Sequence, residues 1–381
     1  MGFRRSIFLS IVPVALMSTS VATAQPENTG NYRPRLLVTL PGHYNTPDGA
    51  ALGEDGTIVL SIPNFNNDHL LENGVIKEPA PAVMAMIDTN DNIATWYEFR
   101  QKDMHPDTGR VGPMDAAFGP DGNLYVADMQ VLWDGEHKSR LLRINVEDGE
   151  PVDVDVVVEG FIVANGMVWK GNTLFVTESV LAHTPAVEAG EKKPPLVSGV
   201  YAFSLKELHG EPIQLSPYTE TGADDHLVVR FRSSNTVGFG ADGVTVDDAG
   251  NLYTSIVEDG VIYRTRLDGN DRAVETGLFA SADGMKSSDG IVWNPVDRKI
   301  YVADLFQNAV HSVDTQGNVS TLHINGDTDG ADGSLDQPAE VLVRGNDLII
   351  VNMDVAWLTP PGVSVNTAVD SPYTISVIRI Q

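Results

Sequence analysis

GADGVTVDDAGNLYTS, residues 240–255, contains two short apolar strands separated by a turn of polar and glycine residues. Val244 and Val246 alternate with smaller or polar residues in the first strand. Such a pair of strands around a turn cluster predicts a β-hairpin. The first strand opens on a carboxylate, Asp242, which is an unexpected residue at the entrance to an apolar sheet.

The same pattern occurs six times along the chain, and this repetition decides the fold. The other copies are PDGAALGEDGTIVLSI (from Pro47), PMDAAFGPDGNLYVAD (from Pro113), ANGMVWKGNTLFVTES (from Ala164), SDGIVWNPVDRKIYVAD (from Ser288) and PAEVLVRGNDLIIVNMD (from Pro338). We use the term ring position for the place of Asp242 in each copy; its occupants are Asp48, Met114, Asn165, Asp242, Asp289 and Ala339. The steps between them average about 58 residues, which suits a four-stranded propeller blade. The sequence therefore predicts an all-β, six-bladed β-propeller.

The last copy is one strand short, because the chain ends after its third strand. Residues 35–40 form a strand-like segment that precedes the first copy and has no partner there. We expect this N-terminal strand to complete the last blade, since closure of the ring removes exposed sheet edges. Residues 25–381 are then one propeller domain. Most long irregular segments fall on the face that carries the ring positions, so this face is the expected binding face.

The N-terminus has the features of an export signal. Arg4 and Arg5 precede an apolar run, and Ala22-Thr23-Ala24 has the small residues that a signal peptidase accepts. Residues 1–24 are therefore predicted to be a cleaved signal peptide. A retained membrane anchor is the alternative, but the apolar run is too short to cross about 30 Å of hydrocarbon.

Composition restricts the environment and the partners. The formal net charge is −27, which disfavours binding to nucleic acid and to anionic membrane surfaces. The chain has no cysteine, so it has no disulfide, thiolate metal site or cysteine nucleophile. These properties favour a periplasmic or secreted bacterial protein that acts on a small molecule.

The first strand of each propeller blade lines the channel, so the ring positions converge at one mouth. Asp48, Asn165, Asp242 and Asp289 bring several oxygen atoms together there. Carboxylates that lie close together repel one another unless a cation binds them. Oxygen ligands without Cys or His favour Ca²⁺ or Mg²⁺, and flexible geometry favours Ca²⁺, so Asp48, Asn165 and Asp242 are the predicted metal ligands. The alternative is that Asp-Gly and Asn-Gly serve only as turn dipeptides.

The chain resembles the senescence-marker-protein/gluconolactonase family of calcium-dependent six-bladed propellers. The likeness is greatest in Asn165-Gly166-Met167-Val168-Trp169 and in Asp242-Gly243-Val244-Thr245-Val246-Asp247. It implies that Asn165 and Asp242 bind the metal together with an acid in the first blade, where Asp48 stands in place of the family's glutamate. Where the family has Asn-Asp-Gly in the second blade, this chain has Met114-Asp115-Ala116. Either Asp115 or a loop residue replaces the missing ligand, or the site is looser.

The resemblance also implies hydrolysis of a lactone or a related ester by attack of water. Asp242 is the predicted general base, and Asp289 is the second choice. We expect Met114, Asp115, Asp128, Glu178, Asp304 and Glu340 to contact the substrate or to order the ligands.

Two other functions are compatible with the sequence. Residues 287–320 are similar to the NHL repeat, whose propellers often only bind ligands or proteins. A lyase or synthase related to strictosidine synthase would need no metal in catalysis, and Glu340 would then be its acid of interest.

Overall fold

Six antiparallel sheets surround a central channel in this computed structural model, which describes residues 32–185, 187, 191–356 and 363–380. Each sheet is one blade of a propeller. The innermost strand of each blade begins within two residues of a ring position, as the sequence predicts. The all-β, six-bladed prediction is confirmed.

The first half of the ring contains blades 1 to 3. The N-terminal strand β1 (Arg35–Thr39) precedes them. The strands of blade 1 are β2 (Ala50–Leu52), β3 (Ile58–Ile62), β4 (Val83–Ile87) and β5 (Ile93–Glu98), with helix α1 (Asn67–Glu72) between β3 and β4. Those of blade 2 are β6 (Pro113–Phe118), β7 (Leu124–Asp128), β8 (Ser139–Glu147) and β9 (Glu150–Phe161). Those of blade 3 are β10 (Ala164–Lys170), β11 (Thr173–Glu178), β12 (Leu196–Ser204) and, after helix α2 (Leu205–Leu208) and strand β13 (Ile213–Gln214), β14 (Leu227–Ser233).

The second half contains blades 4 to 6. The strands of blade 4 are β15 (Ala241–Val246), β16 (Leu252–Ile256), β17 (Val261–Leu267) and β18 (Ala273–Ser281), with a 3₁₀ turn at Val257–Asp259. Those of blade 5 are β19 (Ile291–Asn294), β20 (Lys299–Asp304), β21 (Ala309–Val313) and β22 (Val319–Ile324). Those of blade 6 are β23 (Pro338–Arg344), β24 (Asp347–Asn352) and β25 (Thr374–Arg379).

Blade 6 takes its fourth strand from the N-terminus. Strand β1 pairs antiparallel with β25, with Arg35 opposite Val377 and Thr39 opposite Thr374. The inner strands β2, β6, β10, β15, β19 and β23 contact one another in this order, and β23 contacts β2. The predicted closure is therefore confirmed.

Packing between blades holds the ring together. Val59 of blade 1 shares an apolar cluster with Leu124 and Val126 of blade 2. Phe175 of blade 3 likewise packs in one cluster with Leu252 of blade 4. The neighbours of Val59 in the strand, Ile58 and Leu60, pack instead in the cluster shared with blade 6. Alternate residues of one strand therefore build the cores on its two sides.

The hairpin of residues 240–255 forms as the sequence predicts. The side chain of Asp247 accepts hydrogen bonds from the backbone N–H groups of Ala249 and Asn251, both at 2.9 Å. Gly250 completes the turn with a φ of +79°, a conformation that glycine adopts without strain. Local turn chemistry thus fixes the register in which Val244 lies opposite Thr254.

One feature of the fold has no counterpart in the predicted strands. Strand β13 joins blade 2 as a fifth strand and runs parallel to β9, with Ile213 opposite Val158. It belongs to the long connection between β12 and β14, so part of blade 3 extends along the outer edge of blade 2.

In the described part of the chain, no helix is long and apolar enough to cross a membrane. The predicted signal peptide, residues 1–24, lies outside the described residues.

Candidate active site at the channel mouth

Five of the six ring positions meet at one mouth of the channel. Asp48, Met114, Asn165, Asp242 and Asp289 all line a single cavity of about 30 Å³. The sixth residue, Ala339, packs beside this cavity against Met353. The expectation that Asp48, Asn165 and Asp242 converge is therefore met in the folded chain.

A local irregularity in the inner strands sets the direction of these side chains. The strand register shifts between Ala164 and Met167 in blade 3 and between Ala241 and Val244 in blade 4. Blades 2 and 6 have equivalent shifts at residues 113–116 and 338–340. A bulge of this kind changes the direction in which a side chain points, and bulges are frequent beside active sites.

The inner strands also approach one another closely at the mouth. A Cβ atom on Gly166 would lie 2.3 Å from the carbonyl oxygen of Asp242, and one on Gly243 would lie 2.5 Å from that of Asp289. Any side chain at these positions would force the blades apart. The glycine after the ring position is thus a packing requirement as well as a turn residue.

Asp242 is at the centre of the polar contacts. Its Oδ2 accepts a hydrogen bond of 2.8 Å from Nδ2 of Asn165, and its carboxyl group lies within hydrogen-bonding reach of Asp289. Burial raises the pKa of Asp242 to about 6. Burial and the charge of Asp242 raise the pKa of Asp289 well above its ordinary value. A hydrogen bond between two carboxyl groups needs a proton, so this pair favours a state with one proton and one negative charge.

Asp48 belongs to the same electrostatic group. It is buried, and burial together with the charges of Asp242 and Asp115 raises its pKa well above the ordinary value. The charges that act on these buried acids are those of other acids, so the mouth holds negative groups that repel one another.

Asp115 and Glu340 lie one residue after the ring position, where four of the blades have glycine. Asp115 accepts hydrogen bonds of 2.7 Å from the backbone N–H groups of Met167 and Ala116, and burial still raises its pKa to about 7. Burial and the charge of Asp115 raise the pKa of Glu340 well above its ordinary value. These two acids therefore place two further buried carboxyl groups beside the ring positions.

The acids that end the second strands have different surroundings. Asp128 accepts a hydrogen bond from the N–H of Gly112 and forms an ion pair of 2.6 Å with Arg140. Glu178 accepts hydrogen bonds from the N–H groups of Ile162 and Val163 at 3.0 and 2.6 Å, and burial raises its pKa to about 8.

Asp304 also accepts hydrogen bonds from the backbone of the chain that enters its blade. It accepts hydrogen bonds from the N–H groups of Lys286 and Ser287 at 2.8 and 3.0 Å, and it contacts His311. All three strand-end acids are no more than 2% exposed. Their carboxyl groups thus tie the chain entering each blade to that blade's second strand.

A collar of apolar side chains completes the mouth, and no residue of this collar was expected from the sequence. It consists of Met129, Val237, Phe239, Val257, Phe306 and Met353. Most of these residues lie just after the second strand of a blade. Met129 and Phe306 follow a strand-ending acid by one and two places, and this pattern could have identified these two residues.

The donors at the mouth suit a hard cation in type, because Asp48, Asn165 and Asp242 offer only oxygen ligands. Their mutual repulsion is also the condition that a divalent cation relieves. Within the described ranges, no group of three or more Asp, Glu or His side chains is spaced as metal ligands are spaced. Met114 occupies the remaining place on the ring with a thioether, which is a poor ligand for a hard cation.

Comparison with known proteins supports the assignment of the fold. The family model described as the SMP-30/Gluconolactonase/LRE-like region matches residues 82–280. No curated protein matches the sequence. A gluconolactonase from Xanthomonas campestris has a TM-score of 0.53 and 12% identity, covering 92% of this chain and 90% of its own.

Two further solved structures show how widely this fold is used. Regucalcin, a calcium-binding protein from Agrobacterium tumefaciens, has a TM-score of 0.52 and 13% identity over 91% of this chain and 93% of its own. The PQQ-bound aldose sugar dehydrogenase of Streptomyces coelicolor has a TM-score of 0.53 and 12% identity over 92% of this chain and 98% of its own. At such identities the likeness establishes the fold, and the chemistry has to be argued from the site.

Proposed function

Because this chain belongs to the SMP-30/gluconolactonase/LRE-like family, we propose that it is a metal-dependent hydrolase of lactones or related esters. The observation that carries the proposal is the meeting of Asp48, Asn165, Asp242 and Asp289 around one small cavity at the channel mouth. The name of the gluconolactonase with the same fold agrees with this activity.

Asp48, Asn165 and Asp242 are the residues that would hold the cation, and Ca²⁺ is the ion that their oxygen atoms suit best. A bound divalent cation polarises an ester carbonyl and stabilises the negative charge that develops on its oxygen. The calcium-binding protein among the structures of the same fold supports this choice.

The carboxyl pair at the mouth supplies the proton transfers. Asp242, in its ionised form, takes a proton from the water that attacks the carbonyl carbon. A carbon–oxygen bond to water forms and the ring carbon–oxygen bond breaks, and the proton passes to the oxygen that leaves as a hydroxyl group. Asp289 lies within hydrogen-bonding reach of Asp242, so it orients that carboxyl group and serves as the second candidate for the base.

The experiment combines metal analysis with a pH-indicator assay on a panel of lactones. We expect stoichiometric Ca²⁺ in the purified protein, acid release from at least one lactone, and loss of this activity on chelation with recovery when Ca²⁺ is returned. Circular dichroism before and after chelation shows whether the propeller stays folded.

The alternatives predict other results. Activity that survives chelation and is lost in Glu340→Gln indicates a metal-independent enzyme. An absence of hydrolysis across the panel, in a protein that has bound its metal, indicates a non-catalytic binding propeller.

The export signal at residues 1–24 is part of the same proposal, with the mature protein acting in the periplasm or outside the cell. The test is the intact mass of the protein recovered from the native compartment. We expect a chain that begins at Gln25, and a mass that includes residues 1–24 would contradict export by cleavage.

A further inference from the structure

A second and larger cavity lies beside the mouth on the same face of the propeller. It has a volume of about 550 Å³ and is bounded by the segment around α1 on one side and by residues 132–133 on the other. We call it the side cleft. Its large apolar lining residues are Phe65, Phe99, Met104, Val111, Leu132 and Trp133.

The amide side chains in the wall of the side cleft form hydrogen bonds within the wall itself. Asn64 accepts a hydrogen bond from the N–H of Asn45 and donates one to the carbonyl oxygen of Pro81, at 2.7 and 2.6 Å. Asn66 donates to the carbonyl oxygen of Asp354 at 2.7 Å and accepts from the N–H of Ala356 at 3.0 Å. These amides are not available to a ligand without breaking the wall.

Apolar surface is correspondingly open in the cleft. Trp133 is 37% exposed and Leu132 is 36% exposed, although both are large apolar side chains. Concave sites with exposed aromatic surface are typical of small-molecule binding. The charged residues of the cleft, including Asp68, Glu72 and Arg110, are exposed.

The side cleft is adjacent to the proposed site of reaction. Phe65 lines the cleft and also packs against the cluster of Ala339, Met353 and Val355. Met353 in turn lines the mouth cavity. The ring of Phe65 lies 6.0 Å from that of Trp133, centroid to centroid, so these aromatic residues continue from the cleft toward the mouth.

The mouth is itself poorly suited to a sugar lactone. Seven of the eleven residues that line it are apolar, and the four polar ones interact with one another. A sugar lactone carries a hydroxyl group on nearly every carbon, and each hydroxyl buried without a partner costs about 1–3 kcal/mol. An apolar substituent has no such requirement.

From these observations we infer that the substrate is a lactone or ester with an extended alkyl substituent, which lies in the side cleft while the ester group lies at the mouth. This inference rests on the proposed hydrolase function and specifies its substrate class. Such a substrate needs apolar contacts with Trp133, Leu132 and Phe65, whereas a sugar lactone needs hydrogen bonds.

The first test is a series of γ-lactones from γ-butyrolactone to γ-decalactone, with D-glucono-δ-lactone as the polar comparison. Burial of each further methylene group should raise kcat/KM by about two- to fourfold until the cleft is filled. The inference is overturned if D-glucono-δ-lactone has the higher kcat/KM or if chain length has no effect, and the hydrolase function then still stands.

The second test uses Trp133→Ala, with Trp133→Leu in case the smaller residue impairs folding. We expect KM for γ-decalactone to rise at least tenfold, with a smaller change in kcat, and the dependence on chain length to become shallower. The matched control is Leu278→Ala, which removes a large apolar side chain that is 58% exposed on the outer strand of blade 4. This control should behave as the wild type does, and an equal rise in KM in both variants would overturn the assignment.

A binding measurement separates this inference from the proposed activity. Calorimetry with the ring-opened hydroxy acid of γ-decalactone should show binding with a negative heat-capacity change in the wild type, as burial of apolar surface requires. In Trp133→Ala the affinity should fall about tenfold. If no lactone is hydrolysed but this binding is found, the hydrolase proposal fails while the cleft assignment stands; if the acid does not bind, the cleft assignment fails.

Discussion

Two sets of buried carboxyl groups lie on the same face of this propeller, and their surroundings are opposite. The strand-end acids, Asp128, Glu178 and Asp304, accept hydrogen bonds from backbone N–H groups or pair with a cation. The ring acids Asp242 and Asp289 face each other and Asp48. Burial alone therefore does not mark a functional carboxylate; the distinguishing feature is whether the protein itself satisfies it.

The difference implies that the two sets contribute to different properties. A satisfied acid stabilises the folded chain, and its removal leaves its partners buried without a bond. An acid held against other acids destabilises the folded chain and is retained for what it binds or does. Substitutions in each set test this distinction.

The largest effect is expected for Asp242→Asn. If Asp242 is the base, kcat/KM for the best lactone should fall about 10³-fold. With chelator present, thermal stability should stay the same or rise, because one of the repelling charges is removed. Calorimetric melting and the pH-indicator assay measure the two quantities on one preparation. Asp148→Asn, in an exposed turn, is the control and should change neither. Loss of stability in parallel with activity would mean that Asp242 is a structural acid like the strand-end set.

Asp128→Ala should have the reverse pattern. Arg140 is 3% exposed and would lose its carboxylate partner, so the free energy of unfolding should fall by about 3–5 kcal/mol. Urea unfolding gives this value, and kcat of the folded fraction should change little.

The matched control for this variant is Asp153→Ala, which breaks an ion pair with Lys102 in which both side chains are about half exposed. Exposed pairs contribute at most about 1 kcal/mol. Equal losses in the two variants would show that burial of the Asp128–Arg140 pair contributes nothing.

The sequence predicts most of this architecture because the signal is repeated. Six hairpins of one pattern define the blades, and the position of Asp48, Asn165 and Asp242 at the same place in each hairpin brings them to one mouth. No such repetition exists for Met353 or Trp133, which lie in connections of unequal length and sequence, so their place at the mouth or in the cleft depends on loop conformation.

The sequence also does not predict which acids belong to the ring set and which to the strand-end set. Asp304 and Asp242 both adjoin apolar strands, and both were expected at the mouth. Which of them meets backbone N–H groups depends on how the entering loop, such as residues 286–287, passes the strand end. A hydrogen-bond acceptor's partners are a property of the folded loop, and the strand pattern does not encode them.

A smaller and pH-dependent effect is expected at Glu178. Burial raises its pKa to about 8 from an ordinary value of 4.5, so the folded state holds a proton that the unfolded state releases in this range. Its contribution to stability is therefore complete below about pH 4.5 and is lost as the pH rises toward 8. The slope that it adds is at most about 1.4 kcal/mol per pH unit.

Glu178→Gln has no titrating group, so its free energy of unfolding should fall less steeply between pH 5 and 8 than that of the wild type. Urea unfolding at several pH values, with chelator present throughout, measures the difference in slope. A constant offset with parallel slopes would show that the hydrogen bonds from Ile162 and Val163 keep Glu178 ionised in the folded protein.

The smallest effect is expected for Met114→Asn, and it tests the ring itself. Met114 lines the mouth with a thioether, so an amide oxygen in its place adds a donor that a hard cation accepts. Affinity for Ca²⁺, measured by calorimetry, should rise about threefold to tenfold, within the range in which the number of oxygen ligands tunes such sites. Met129→Asn is the control, because Met129 lines the same cavity from the end of a second strand. An equal gain from both variants would mean that an oxygen atom anywhere in the mouth can bind the cation. A gain from Met114→Asn alone would show that only the bulged inner strand places its side chain where a metal ligand is needed.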